Sequence, residues 1–208
     1  MSGDGLAHLR TCDEVLGALI ASVGGLDLAR GPDRPPPGAH YAALVRAIVG
    51  QQLSTHAARA IWGRLLERFD GRPPEPAEIL VADPEELRAA AGLSRAKVTF
   101  LRSLAEHVES GELELDRLDA LSDEEVIAEL TAVHGIGLWS AQMFLMFQLE
   151  RPDVLPVGDL GIRRAVERAY ELPELPDAKT IESIAEPWRP YRTLACRYLW
   201  RSLANEPT

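Results

Sequence analysis

The chain has 208 residues, of which 46% are hydrophobic and 26% are charged, and its formal net charge is −10. This length and apolar content suit one large domain or two small lobes. We expect no membrane span, because the chain lacks an apolar run of about 18 residues, and no secretory leader, because it lacks a leader pattern. We also expect no zinc site and no four-cysteine iron–sulfur site, because Cys and His residues are not clustered. Its two cysteines favour reduced thiols in a cytoplasmic protein.

Apolar residues recur at helical spacing along most of the chain, and no alternation typical of strands occurs. The segment GPDRPPPG at 31–38 breaks any helix. Predicted helices lie at 12–23, from 41, 55–69, 77–81, 84–91, 95–110, after Ser122, 138–149, 159–170, 178–185 and 191–203. The sequence therefore predicts an all-α, two-lobed bundle of about ten helices with a cleft between the lobes. We expect residues 1–38 to pack, as a helix and linker, on a core of residues 39–208.

The acidic excess is concentrated in one stretch. Residues 109–133 hold nine acidic residues and one basic residue, a net charge of −8. The other segments are near neutral, so the overall charge does not exclude a nucleic-acid partner. We expect the acidic stretch to be a solvated face.

A tight turn, His134-Gly135-Ile136-Gly137, joins two apolar helices. Two glycines let the chain reverse sharply and expose successive amides. The second helix adds the unpaired N–H groups of its first turn and its dipole, which attract a phosphate. A plain turn between helices remains the alternative interpretation of this pattern.

One aspartate, Asp159, stands 22 residues after Gly137 and opens the next predicted helix. A helix cap is the simplest role for an aspartate at that place. A lone carboxylate combined with a phosphate-binding turn suggests chemistry on a nucleic-acid backbone or base. The two roles are compatible.

Four motifs occur in one consistent order between residues 40 and 203. They are YAALVRAIVGQQLS (41–54), GLSRAK (92–97), the hairpin and aspartate segment (130–164) and WRPYR (188–192). Together they resemble the helix-hairpin-helix glycosylase superfamily and, within it, the alkylpurine (3-methyladenine type II) DNA glycosylases. Larger members of the group carry an N-terminal β domain, which we do not expect in this protein.

The resemblance implies a catalytic role for Asp159, which would stabilise positive charge on the deoxyribose as the base leaves. Members that also nick the strand have a lysine where this chain has Trp139, so a monofunctional hydrolase is expected. The implied base pocket contains Trp139, Tyr191, Trp188 and Met143, and the position of Met143 is aromatic in some relatives. Core packing is the alternative role for Trp139 and Trp188.

The resemblance also implies a wedge that fills the space left by an everted nucleotide, for which we predict Gln52 with Leu53 beside it. An interhelical hydrogen bond is the alternative role for Gln52. Predicted phosphate contacts are Gly135, Gly137, Ser54, Ser94, Arg95 and Lys97. A solvated surface position is the alternative for Arg95 and Lys97.

We expect no required cofactor, although the hairpin carbonyls of Thr131, Val133 and Ile136 match positions that hold a monovalent cation, Na⁺ or K⁺, in relatives. We expect the protein to be a monomer and its partner to be duplex DNA with alkylated bases. Two alternatives remain open: a non-enzymatic DNA-binding helix-hairpin-helix module, and a glycosylase for uracil, mismatched or oxidised bases.

Overall fold

The computed structural model describes residues 3–26 and 34–204, and every regular element in these ranges is helical. The α-helices are α1 (Gly3–Cys12), α2 (Glu14–Val23), α3 (His40–Gly50), α4 (Thr55–Arg68), α5 (Pro76–Val81), α6 (Pro84–Ala91), α7 (Arg95–Glu109), α8 (Asp123–Ala132), α9 (Leu138–Phe147), α10 (Leu160–Ala169), α11 (Ala178–Ala185) and α12 (Arg192–Ala204). Two 3-10 turns lie at Leu115–Arg117 and Glu186–Trp188. The all-α prediction is confirmed. Among the described residues, no helix combines the length and hydropathy needed to cross a bilayer.

The N-terminal region holds two helices where the sequence predicts one over 12–23. Asp13 interrupts the helical path with an extended backbone (φ −151°, ψ 113°), and its carboxylate accepts a 2.9 Å hydrogen bond from the backbone N–H of Leu16. An aspartate that caps a following helix satisfies an N–H group left unpaired at the helix start. The expected single helix is therefore replaced by α1 and α2.

Contacts divide the chain into two compact units. Unit 1 comprises residues Met1–Arg30 and Glu150–Thr208, and unit 2 comprises residues Gly31–Leu149. The N-terminal helices are thus grouped with the C-terminal ones, whereas the described part of the predicted linker, 34–38, belongs to unit 2. Residues 31–33 of that linker lie outside the described residues.

In unit 1, α2, α10 and α12 pack together around buried apolar side chains such as Leu16, Ile162 and Leu199. In unit 2, α3 packs on α4, α7 and α9, with Ile48 and Leu104 fully buried. Each unit therefore has an apolar core of its own, which holds its helix ends and loops in place.

Candidate functional site

The hairpin turn between α8 and α9 lies in unit 2 and requires a glycine at position 135. Gly135 adopts a φ of +97°, in the region that L side chains rarely enter. A Cβ at this position would lie 2.1 Å from Cγ of Phe100. The Phe100 ring also meets the His134 ring edge-on, with centroids 5.0 Å apart. Both backbone conformation and packing on α7 therefore determine the shape of the turn.

The second glycine of the turn has a different role. Gly137 is the N-cap of α9 with an ordinary φ of −94°, and a Cβ there would meet nothing within 4 Å. The glycine leaves the first amides of α9 accessible from outside, where a helix N-terminus attracts a phosphate. Leu138 and Trp139 follow with 53% and 49% of their surfaces exposed.

Gln51 connects the end of α3 to this turn. Its side-chain amide donates to the carbonyl oxygen of Gly135 over 2.8 Å and lies 3.4 Å from the hydroxyl of Ser140. The sequence pattern singled out the Gln51-Gln52 pair but not this contact. The interhelical hydrogen bond considered for Gln52 is thus made by Gln51.

Gln52 and Leu53, the predicted wedge, are exposed at the α3–α4 junction. Gln52 has a φ of +57°, an uncommon conformation for a residue other than glycine. Strained backbone of this kind persists where the surrounding structure enforces it, often at functional sites. Leu53 keeps 38% of its surface exposed.

The predicted phosphate contacts outside the hairpin divide into two groups. Ser54 and Ser94 cap α4 and α7, accepting from the backbone N–H groups of Ala57 and Lys97, and their hydroxyls can still donate to a phosphate. The Arg95 side chain is 84% exposed and lies 3.5 Å from the Glu85 carboxylate. These three side chains are open to solvent.

Lys97 requires a correction. Its ammonium donates a 2.7 Å hydrogen bond to the carbonyl oxygen of Val49 near the end of α3, and the residue is buried. Burial lowers the pKa of this ammonium. Because the charge lies inside unit 2, the predicted phosphate contact of Lys97 is replaced by a structural one that holds the segment before the wedge.

Met143 lines a cavity of about 150 Å³ in unit 2, together with Arg46, Ala47 and Phe147. Its side chain is partly exposed. The flexible thioether gives this cavity a wall that can adapt its shape.

The three predicted cation ligands lie where α8 gives way to the turn. Val133 leaves the helical conformation (ψ 124°), and its carbonyl oxygen accepts from the N–H of Ile136 at 3.1 Å. The last carbonyls of a helix lack i+4 partners and carry partial negative charge, which suits a monovalent cation. Thr131 is exposed, whereas Val133 and Ile136 are buried. Within the described ranges, His, Cys, Asp and Glu side chains form no metal-binding cluster.

In unit 1, Asp159 is the N-cap of α10 and is partly exposed. Its Oδ1 accepts hydrogen bonds of 2.8 Å from the backbone N–H of Ile162 and from the indole N–H of Trp200. Leu160, directly after it, is an exposed apolar residue at 49%. Oδ1 of this carboxylate therefore accepts from two donors at the positive end of a helix.

The loop before Asp159 is fastened to the start of α12. Arg192 donates to both carboxylate oxygens of Asp153, at 2.7 and 2.9 Å. The buried hydroxyl of Thr193 donates to the carbonyl of Arg151 and accepts from the N–H of Val154. This network limits the freedom of the backbone that leads to Asp159.

The two aromatic residues predicted from WRPYR behave differently. Tyr191 is partly exposed, and its ring lies on Gly5, where a Cβ would come within 3.0 Å of Cδ1. Trp188 is fully buried, and its indole N–H donates to the Asp13 carboxylate at 2.9 Å. The prediction that Trp188 lines a base pocket is therefore corrected, because a side chain with no exposed surface packs as core.

Comparison with known proteins agrees with the resemblance stated from the motifs. Residues 45–190 match the model of the HhH-GPD superfamily of base excision DNA repair proteins. The DNA-3-methyladenine glycosylase 1 of Schizosaccharomyces pombe is 37% identical, over 94% of this chain and 85% of its own length.

Two solved structures are similar along nearly the whole chain. The S. pombe 3-methyladenine DNA glycosylase in complex with abasic DNA superposes with a TM-score of 0.84 at 35% identity, covering 99% of this chain and 100% of that one. The DNA-3-methyladenine glycosidase of Bacillus halodurans gives a TM-score of 0.83 at 37% identity, covering 97% and 89%. On this evidence the chain belongs to the HhH-GPD superfamily of base excision DNA repair proteins.

Proposed function

We propose that this protein is a monofunctional DNA glycosylase that hydrolyses the N-glycosidic bond of alkylated bases such as 3-methyladenine and 7-methylguanine in duplex DNA. It leaves an abasic site for base excision repair, and it works as a cytoplasmic monomer. The observation that carries this proposal is the fixed, partly exposed carboxylate of Asp159 at the start of α10. The names of relatives such as the S. pombe DNA-3-methyladenine glycosylase 1 support the substrate class.

The chemistry requires one carboxylate. Positive charge builds on the sugar as the bond between base and deoxyribose breaks, and Asp159 stabilises that charge and orients the attacking water. An N3- or N7-alkylated purine is already cationic, so it departs with little acid assistance. The second carboxylate that many sugar hydrolases use is then unnecessary.

Neither of the chain's two lysines lies at the position of a nucleophilic amine, which supports a monofunctional mechanism. A strand-nicking glycosylase needs an amine that attacks the sugar. The position after the hairpin, where such enzymes have a lysine, is Trp139 in this chain. Lys97 is buried against the Val49 carbonyl, and Lys179 lies exposed at the start of α11. Water is therefore the nucleophile.

Duplex DNA is bound through its backbone and opened by the wedge. The amides at Gly135 and Gly137 hold one phosphate, and a monovalent cation on the carbonyls of Thr131, Val133 and Ile136 would add positive charge there. Ser54, Ser94 and Arg95 contact further phosphates. Gln52 and Leu53 fill the gap in the base stack.

Trp139, Tyr191 and Met143 are the side chains proposed for the base pocket. Electron-rich rings stack well on an electron-poor, cationic base, because the face of an aromatic ring attracts positive charge. The thioether of Met143 makes this pocket less rigid than one with three aromatic rings. We therefore propose that the pocket accepts several alkylated purines.

Product analysis tests this proposal. The full chain is incubated with duplex DNA that contains one 7-methylguanine, and free base, abasic sites and strand breaks are measured separately. We expect free base and alkali-labile sites in equal amounts, with the strand intact until alkali is added. DNA binding without base release would instead indicate a non-enzymatic module, and a borohydride-trapped protein–DNA adduct would contradict the monofunctional mechanism.

A further inference from the structure

We infer that Trp200 is a positioning residue for Asp159 and that Gly161 is present so that the two side chains can meet. This inference rests on the proposed catalytic role of Asp159. The indole N–H of Trp200 donates to Oδ1 of Asp159 over 2.8 Å, and the backbone N–H of Ile162 donates to the same oxygen over 2.8 Å. One donor comes from α10 itself and the other from α12.

The backbone donor is an ordinary feature of a capped helix, whereas the indole is not. Asp177 caps α11 in the same unit by accepting from the backbone N–H of Thr180 at 2.8 Å. A cap of that kind suffices to start a helix. The additional donor at Asp159 comes from a residue 41 positions later in the sequence, so helix formation alone does not account for it.

Gly161 gives an independent sign that the contact matters. It lies in the first turn of α10, where glycine is a poor helix former, and its φ is not in the left-handed region. A Cβ there would lie 3.0 Å from Oδ1 of Asp159 and 3.0 Å from Cδ1 of Trp200. The backbone conformation does not require glycine, but the approach of the indole to the carboxylate does.

Two donors at one oxygen fix the plane of the carboxylate. A charge that is already oriented stabilises a cationic transition state without reorganising during the reaction. Small displacements of a reacting group reduce rates strongly. Trp200 therefore acts on the rate of base release through Asp159 and does not itself touch the substrate.

A double-mutant cycle tests this inference by the single-turnover rate of 7-methylguanine release, with saturating enzyme. We expect Trp200→Phe to slow release by about ten- to a hundredfold, as loss of one hydrogen bond to a charged group does. Its affinity for abasic-site DNA should stay within about twofold of the wild type, because DNA binding does not use this contact. In the Asp159→Ala background, Trp200→Phe should have no further effect.

Gly161→Ala provides the same test without removing the indole. We expect it to slow release by about three- to tenfold, because the carboxylate and the indole must shift by a few tenths of an ångström. Gly63→Ala is the matched control, since Gly63 also lies in a helix and a Cβ there meets nothing within 4 Å. It should release base at the wild-type rate. If Trp200→Phe does not fold, Gly161→Ala decides the matter.

The inference is overturned if Trp200→Phe or Gly161→Ala releases base at the wild-type rate. It is also overturned if Trp200→Phe slows the Asp159→Ala enzyme by the same factor as the wild type. A fully active Asp159→Ala enzyme would be a different result, because it would remove the proposed catalytic residue as well as its support.

Discussion

The side-chain amide of Gln51 donates to the carbonyl oxygen of Gly135, so the end of α3 is fastened to the hairpin turn by a 2.8 Å hydrogen bond. The wedge residues follow Gln51 directly in the sequence. The hairpin turn and the predicted wedge segment are therefore linked within unit 2 by one side chain.

Gln51→Ala should loosen both the hairpin turn and the segment that contains Gln52 and Leu53. We expect a loss of about 1 to 3 kcal/mol in the free energy of unfolding, because a partly buried carbonyl loses its donor. Affinity for undamaged duplex DNA should fall as well, since the turn becomes looser. Gln52→Ala is the comparison: it should keep the stability and DNA affinity of the wild type but release base more slowly. Identical behaviour of the two variants would contradict separate roles for the adjacent glutamines.

The two hairpin glycines should respond differently to alanine. Gly135→Ala places a methyl group on the Phe100 ring and strains a backbone with φ of +97°, so we expect a destabilisation of at least about 2 kcal/mol. Gly137→Ala meets open space, so its thermal stability should be close to that of the wild type. It should nevertheless weaken DNA binding, because the new methyl group stands where a phosphate approaches. A Gly137→Ala protein with unchanged DNA affinity would argue against phosphate binding at this amide.

The salt dependence of DNA binding distinguishes Arg95 from Lys97. Removing a cation that contacts phosphate lowers the slope of log K against log salt by about one. We expect that change for Arg95→Ala, whose side chain is exposed. Lys97→Met should leave the slope unchanged and lower stability, because its ammonium binds the Val49 carbonyl. A reduced slope for Lys97→Met would show that the corrected assignment is wrong.

Asp13 should make the protein sensitive to acid. Burial raises the pKa of this carboxyl, but hydrogen bonds from Trp188, Tyr170 and the α2 backbone outweigh it, and the net pKa is lowered. The corresponding stability is present above the unfolded-state pKa of about 3.9 and is lost as the pH falls through the lower folded-state value. Asp13→Asn should therefore show a flatter decline of unfolding free energy below about pH 4 than the wild type. Tyr170→Phe removes one of the donors to Asp13, so its decline of unfolding free energy should be intermediate between those of the wild type and Asp13→Asn. Equal declines in all three proteins would contradict a role for Asp13 in acid sensitivity.

Local chemistry made much of the fold predictable. Ser94, Ser122 and Asp159 each accept from a backbone N–H three residues later, so the starts of α7, α8 and α10 could be placed from the residues alone. The glycines of the hairpin likewise follow from backbone geometry. The all-α class required only the 3.6-residue spacing of apolar side chains.

The errors in the candidate site concern groups whose partners are distant in the sequence. Lys97 donates to a carbonyl 48 residues away, and Trp188 to a carboxylate 175 residues away. Neither contact leaves a periodic signal, and a lysine at the start of a helix has the same local pattern whether its ammonium faces solvent or another helix. The contact between Trp200 and Asp159 was missed for the same reason.

Single-turnover release of 7-methylguanine from duplex DNA by Asp159→Asn tests whether Asp159 stabilises the developing charge on the sugar. Asparagine caps a helix as well as aspartate does, so the fold should be kept. Asp177→Asn makes the same change at the comparable cap of α11 and serves as the control. We expect Asp159→Asn to lose at least about a hundredfold in rate and to keep its binding to abasic DNA, while Asp177→Asn keeps the wild-type rate. Release by Asp159→Asn within about twofold of the wild-type rate would show that this carboxylate is not catalytic.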